Sequence, residues 1–212
     1  GVRPESRLSD PASCSTEDRR APGWQGAMTG LRVIGGIARG RKLRRVPGEG
    51  TRPIGDRVKE SLFNIIGADV EASAWLDLFA GTGSVGIEAL SRGARRAVFI
   101  DSSRAATRTI HHNLETTGLA ARGDVVHLDA FVYLDRPPGE PFDYIFLAPP
   151  QYRGLWIASL RAIDGHPDLC SVDSWTIVQI DPREDEPVAL ERLSRFDERT
   201  YGQTRLMFYR AE

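Results

Sequence analysis

Three carboxylates, a glycine-rich loop and a pair of prolines are the residues of this sequence that could do chemistry. The apolar run Trp75-Leu76-Asp77-Leu78-Phe79 opens into Ala80-Gly81-Thr82-Gly83-Ser84-Val85-Gly86. Gly81, Gly83 and Gly86 keep the G-x-G-x-x-G spacing that brings backbone close to a ligand where a strand turns into a helix. Asp101-Ser102 ends the next apolar run, about 20 residues on, where an acid can take ribose hydroxyls. Asp129-Ala130 follows a third run, and Asp129 either accepts from an adenine amino group or caps the next helix. A dinucleotide and S-adenosylmethionine would both use these glycines and Asp101. Asp77 separates them. A dinucleotide puts its pyrophosphate at this loop, beside a carboxylate that would repel it. S-adenosylmethionine carries no phosphate, and its ammonium and sulfonium suit an acid. The expected cofactor is therefore S-adenosylmethionine, held by Asp77, Phe79, Ala80, Gly81, Thr82, Gly83, Asp101, Ser102, Asp129 and Ala130. An NAD-dependent dehydrogenase is the weakest reading, since no acid/base group for hydride transfer accompanies the loop.

The second chemical stretch is Phe142-Asp-Tyr-Ile-Phe-Leu-Ala-Pro-Pro-Gln-Tyr152. A buried strand that stops on two prolines presents fixed backbone carbonyls, because proline locks its own backbone and cannot join a sheet ladder. An exocyclic amine of a nucleobase is a poor nucleophile, its lone pair being delocalised into the ring. Acceptors that grip its hydrogens turn the lone pair toward a methyl donor and hold a near-attack geometry. The backbone carbonyls of Pro149 and Pro150 are the expected acceptors, and Tyr152 is expected to stack on a flipped-out base.

These residues need a scaffold that brings strand ends together. From Trp75 onward apolar strands alternate with helices. Strands are expected at 75–79, 97–100, 125–128, 144–147 and 175–180, with helices at 85–91, 103–117, 131–134 and 155–163. Alternation with strands this apolar implies a parallel sheet covered on both faces. The last stretch, around Tyr201-Gly202-Gln203, reads as a closing antiparallel pair. Ahead of the sheet, Leu31–Ile37 and Lys42–Val46 read as a hairpin around Ala-Arg-Gly-Arg, followed by a helix over 57–66 capped by Asp56 and stopped by Gly67.

Bulk properties narrow the partners. The chain has 212 residues, 41% of them hydrophobic and 27% charged, as in an ordinary globular domain. No apolar run approaches the ~20 residues of a membrane span. Cys14 and Cys170 form no metal or disulfide pattern, so a reducing cytoplasm and no metal site are expected. Net charge is −1, but residues 32–61 hold nine basic residues against Glu49, Asp56 and Glu60, leaving that segment at +6 and the remainder at −7. A basic arm on an acidic body points to a polyanion at one face. Arg39, Arg41, Lys42, Arg44, Arg45, Arg52 and Arg57 are the expected phosphate contacts. Three regions are expected: a disordered tail at 1–27, the basic hairpin and helix at 28–67, and the cofactor domain at 68–212.

The stretches RVIGGIARGRKL, TRPIGDRVKESLFNII, LDLFAGTGSVGIEALSRGA, FID, APPQYRG and TYGQTRLMFY together resemble the bacterial small-subunit ribosomal RNA guanine-N2 methyltransferases, the RsmD type. The resemblance spans about residues 32–210. It implies a class I methyltransferase, a Rossmann-like α/β fold with a mostly parallel seven-stranded sheet and an antiparallel last strand, plus an N-terminal hairpin and helix. It further implies methylation of one guanine N2 amine in 16S ribosomal RNA or a small-subunit assembly particle, by a monomer. One departure stands out. Ala148 occupies the place where this family has Asp or Asn before the prolines, and Gln151 displaces the aromatic residue by one. Either Gln151 supplies the missing acceptor, which is the favoured account, or the proline backbone suffices, or activity is lost or changed. Transfer to another RNA or DNA amine, and a non-catalytic RNA-binding assembly factor, are the alternatives.

Overall fold

A computed structural model describes residues 30–48, 54–136 and 139–211; the expected tail at 1–27 and Arg52 lie outside them. The described elements are, in order, α1 (Asp56–Ile66), β1 (Ala74–Leu78), α2 (Ser84–Ser91), β2 (Arg96–Asp101), α3 (Arg104–Thr117), β3 (Gly123–His127), α4 (Ala130–Leu134), β4 (Phe142–Leu147), α5 (Leu155–Asp164), β5 (Cys170–Ile180), β6 (Leu193–Tyr201) and β7 (Thr204–Ala211). They form one seven-stranded sheet in the order β3-β2-β1-β4-β5-β7-β6. The first five strands run parallel to one another, and β7 is antiparallel to both β5 and β6. Strand order reverses between β1 and β4. Such a switch point opens a crevice beyond the strands' C-terminal ends, where open α/β sheets bind ligands.

The apolar strands are explained by two buried layers. On one face α1 packs Val58, Leu62, Phe63 and Ile66 against Trp75, Tyr144, Phe146 and Phe208. Phe63, Trp75 and Tyr144 form a stacked row with centroids 5.4 and 4.8 Å apart. On the other face Leu76, Leu78, Ile145, Leu147 and Met207 meet Trp156 and Leu160 of α5. Burial at about 1.5–3 kcal/mol per large side chain makes both layers strongly stabilising. Because β1 is covered on both sides, all five of its residues are buried, Asp77 included.

The N-terminal segment departs from the expected hairpin. One bridge pair forms, Arg32 with Lys42, flanked by Val33 N–H to Arg41 O at 2.9 Å and Leu43 N–H to Leu31 O at 2.8 Å. The ladder ends there because the following N–H groups turn to α2. Ile34 and Gly35 donate to the Glu88 carboxylate at 2.8 and 2.7 Å, and Ala38 donates to Ser91 Oγ at 2.9 Å. Gly36 makes this approach possible: a Cβ there would lie 1.8 Å from the Ser91 carbonyl oxygen. Asp56 is likewise not the cap of α1. Gly55 holds that position, and Asp56 sits in the first turn, accepting from Arg32 Nε at 2.9 Å.

Candidate cofactor and substrate site

The glycine loop is held by the two acids that precede and follow it. Asp77 lies at 2% exposure and accepts from Gly86 N–H at 3.1 Å. Burial pushes its carboxyl up to about 8; the Gly86 bond opposes that rise and Asp101 adds to it. Asp101 spans two loops, its Oδ2 accepting from Gly81 N–H and its Oδ1 from Ser103 N–H, both at 2.8 Å. Between the acids Phe79 adopts φ +61°, a left-handed conformation that costs a bulky residue about 1–3 kcal/mol. Gly86 has a packing role, since a Cβ there would strike the Phe99 ring at 2.3 Å and push α2 off β2.

A cavity of about 740 Å³ opens at the switch point. Asp77, Phe79, Ala80, Gly81, Thr82, Asp101, Ser102, Asp129 and Ala130 line one part of it, and Pro149, Pro150 and Gln151 line another. Two expected residues do not line it. Gly83 is the left-handed N-cap of α2, packed against Ile110 and Phe99. Tyr152 points away: its hydroxyl donates to Asp181 Oδ2 at 2.7 Å, Arg183 lies over its ring at 5.5 Å, and its N–H meets Glu184 at 2.5 Å. The bond to Asp181 also holds the phenol above its ordinary pKa. In this arrangement Tyr152 cannot stack on a base inside the cavity. Asp129 caps α4, its Oδ1 accepting from Phe131 N–H at 2.9 Å, and it also lines the cavity.

Several lining residues carried no signal in the sequence. Val46 and Ile54 come from the N-terminal segment, and Gln179 comes from the end of β5. Asn113 of α3 is fully buried and ties the segment to the glycine loop, exchanging bonds with Arg44 N–H (2.7 Å) and O (3.1 Å) while donating to Thr82 O at 2.9 Å. Of the basic residues, Arg39, Arg41, Lys42, Arg44, Arg45 and Arg57 are exposed, and Arg45 joins the arm to the cavity wall. Lys59 is not part of that surface. It is fully buried, with Nζ donating to Arg32 O at 2.6 Å and Ser84 Oγ at 3.1 Å, and lying 3.3 Å from Glu88. Burial lowers its pKa, against the pull of Glu88.

The donor set fits S-adenosylmethionine. A buried acid and a glycine loop suit an amino-acid cation, Asp101 and Ser102 suit ribose hydroxyls, and the apolar wall of Phe79, Ile100 and Ala130 suits a purine face. Residues 31–210 match the family model described as conserved hypothetical protein 95. YlbH of Bacillus subtilis (strain 168) is 38% identical over 184 residues, which are 85% of this chain and 98% of that protein. Ribosomal RNA small subunit methyltransferase D of Haemophilus influenzae is 34% identical over 179 residues, covering 81% of this chain and 89% of that one. The solved structure of yhhF from Escherichia coli superposes with a TM-score of 0.76 at 33% identity, covering 86% of this chain and 98% of that chain. A class I fold with its cavity at the β1/β4 switch point and a match along nearly all of the described chain lead to one conclusion: the chain belongs to the conserved hypothetical protein 95 family, that of the ribosomal RNA small subunit methyltransferase D proteins.

Proposed function

We propose that this chain methylates the exocyclic N2 amine of a guanine in small-subunit ribosomal RNA, with S-adenosylmethionine as donor. The observation that carries the reading is a single cavity joining the glycine loop, the three acids, the Pro149-Pro150 segment and Arg45 of the basic arm. The names of the relatives support ribosomal RNA as the substrate class. When bound, S-adenosylmethionine supplies a methyl group on a cationic sulfur, so the protein's work is orientation and exclusion of water.

Asp77 and the loop from Phe79 to Thr82 would hold the amino-acid end, Asp101 and Ser102 the ribose, and Asp129 and Ala130 the adenine. The backbone of Pro149 and Pro150 would present acceptors to the guanine amine. Arg45 and the exposed arm residues Arg39, Arg41, Lys42 and Arg44 would meet phosphates, and Arg57 and Arg52 would extend that contact. The arm is fixed to α2 through Glu88, so RNA gripped there is registered against the cavity rather than merely tethered.

The test is transfer of labelled methyl to unmodified small-subunit particles, with free ribosomal RNA and duplex DNA in parallel. N2-methylguanine in the ribosomal RNA is the expected product, and comparison of the first two acceptors shows whether the particle or the free RNA is the substrate. Label in DNA, or no transfer by a protein that still binds the donor, would sink the proposal.

A further inference from the structure

We propose that Gln179 accepts a hydrogen bond from the substrate amine, taking the place of the side chain that Ala148 lacks; this rests on the methyl-transfer reading above. β4 and β5 pair in parallel through Phe146 with Ile177 and Leu147 with Val178. Ala148, just past the end of β4, and Gln179 of β5 are the residues that follow this last pair, and both line the cavity. Each lies two places beyond a paired residue of the same buried layer, Phe146 and Ile177, so strand alternation turns both to that face. Phe146 itself lines the cavity.

The amide is not satisfied by the protein. Gln179 Oε1 is buried and has no hydrogen-bond partner among the described residues. Gln179 itself is half-buried, and its neighbours Val178 and Ile180 turn to the opposite buried layer. A buried unpaired amide oxygen is unfavourable in the free protein and becomes paired when an N–H donor enters. Gln151, by contrast, is exposed in a turn, where water competes for its amide. The acceptor role that sequence position assigns to Gln151 therefore falls to a residue 28 places later, on the neighbouring strand.

An amide is too weak a base to remove a proton, so the role is positioning through direct contact. Gln179 holds one N–H of the amine so that the nitrogen lone pair is free to form the new N–C bond. The electron pair of the breaking C–S bond goes to sulfur, and the proton released from nitrogen goes to water.

Turnover on unmodified small-subunit particles, donor affinity by calorimetry and melting temperature would be measured for wild type, Gln179→Leu, Gln151→Ala and the double variant Gln179→Leu/Ala148→Asn. Gln179→Leu is expected to lose about tenfold or more in kcat with donor affinity unchanged. The added Asn at 148 should return most of that loss, and Gln151→Ala should cost less than Gln179→Leu. Gln179→Met, of nearly the same length, replaces the leucine variant if melting temperature falls. Full turnover without the amide, or a loss that Ala148→Asn does not repair, overturns the role of Gln179 and leaves methyl transfer standing. No transfer by wild type to particles, RNA or DNA would instead overturn the reaction, and this assignment with it.

Discussion

Asp77 sits where its charge is least comfortable, in a strand buried on both sides, and its carboxyl is held near pH 8 by that burial. The consequence for stability has a definite sign. The native protein binds this proton more tightly than the unfolded chain, whose carboxyl titrates near 3.8. The stabilisation is therefore complete below about pH 4 and is lost as pH rises through about 8. Asp77→Asn keeps an acceptor for Gly86 and cannot ionise, so in denaturant titrations its stability should gain on wild type as pH rises from about 4 to about 8. Donor binding should show the same proton. Below pH 8 a cationic ligand displaces it, so affinity should rise with pH by up to about tenfold per unit. Calorimetry in buffers of different ionisation enthalpy would detect the released proton, and equal heats in both would mean that Asp77 binds no cation. The identities of Asp77, Asp101 and Asp129 could be read from strand ends and spacing. The position of Tyr152 could not, because the groups that hold it, Asp181 and Arg183, come from a turn some 30 residues later.

Among the elements, α2 does more than close the βα unit that its glycines announce. One carboxylate on it, Glu88, accepts from Ile34 and Gly35, pairs with buried Lys59 of α1 and receives Arg92 Nε at 2.9 Å. Glu88→Ala strands the Lys59 ammonium in the core and leaves two backbone donors unpaired. Loss of one partner of a buried pair costs roughly 3–5 kcal/mol, so urea unfolding should show a loss of at least that size. A change under 1 kcal/mol would mean the arm is not anchored through this residue. Asn113 makes a subtler test, since it links Arg44 of the arm to Thr82 of the loop from outside the cavity lining. Asn113→Ala should lower stability by about 1–3 kcal/mol and weaken donor binding several-fold by calorimetry. Unchanged affinity would show that the loop keeps its shape without the bridge. The expected hairpin stays short, with one bridge pair, for a non-local reason. Glycines at 35, 36 and 40 are consistent with a turn, but the partner that captures the backbone is a helix 50 residues away.

At the scale of the whole molecule, a near-neutral chain separates its charges. The arginines and lysine of residues 39–45 are exposed and Arg45 among them lines the cavity, while most acids lie beyond the arm in sequence. Binding to a small-subunit ribosomal RNA fragment should therefore weaken steeply with salt. Replacing Arg39, Arg41 and Lys42 by alanine should reduce the slope of log K against log salt by about 2, at roughly 0.7 per lost contact on single-stranded RNA. Fluorescence anisotropy would measure this, and an unchanged slope would place the RNA on another face. The sequence by itself determined the strand and helix alternation, the cofactor loop, the acids at the strand ends and the basic arm. Each is set by local chemistry: apolar period, glycine spacing, or charge density within a few residues. Tertiary structure alone decided that Lys59 leaves the basic surface for the core, that Tyr152 turns outward, and that Gln179 rather than a neighbour in sequence stands beside Ala148. Those outcomes depend on which strands become neighbours when β5 aligns against β4, and on which helix face receives the arm. Contacts between residues far apart in the chain leave no trace in local pattern, because burial and pairing are properties of the packed whole.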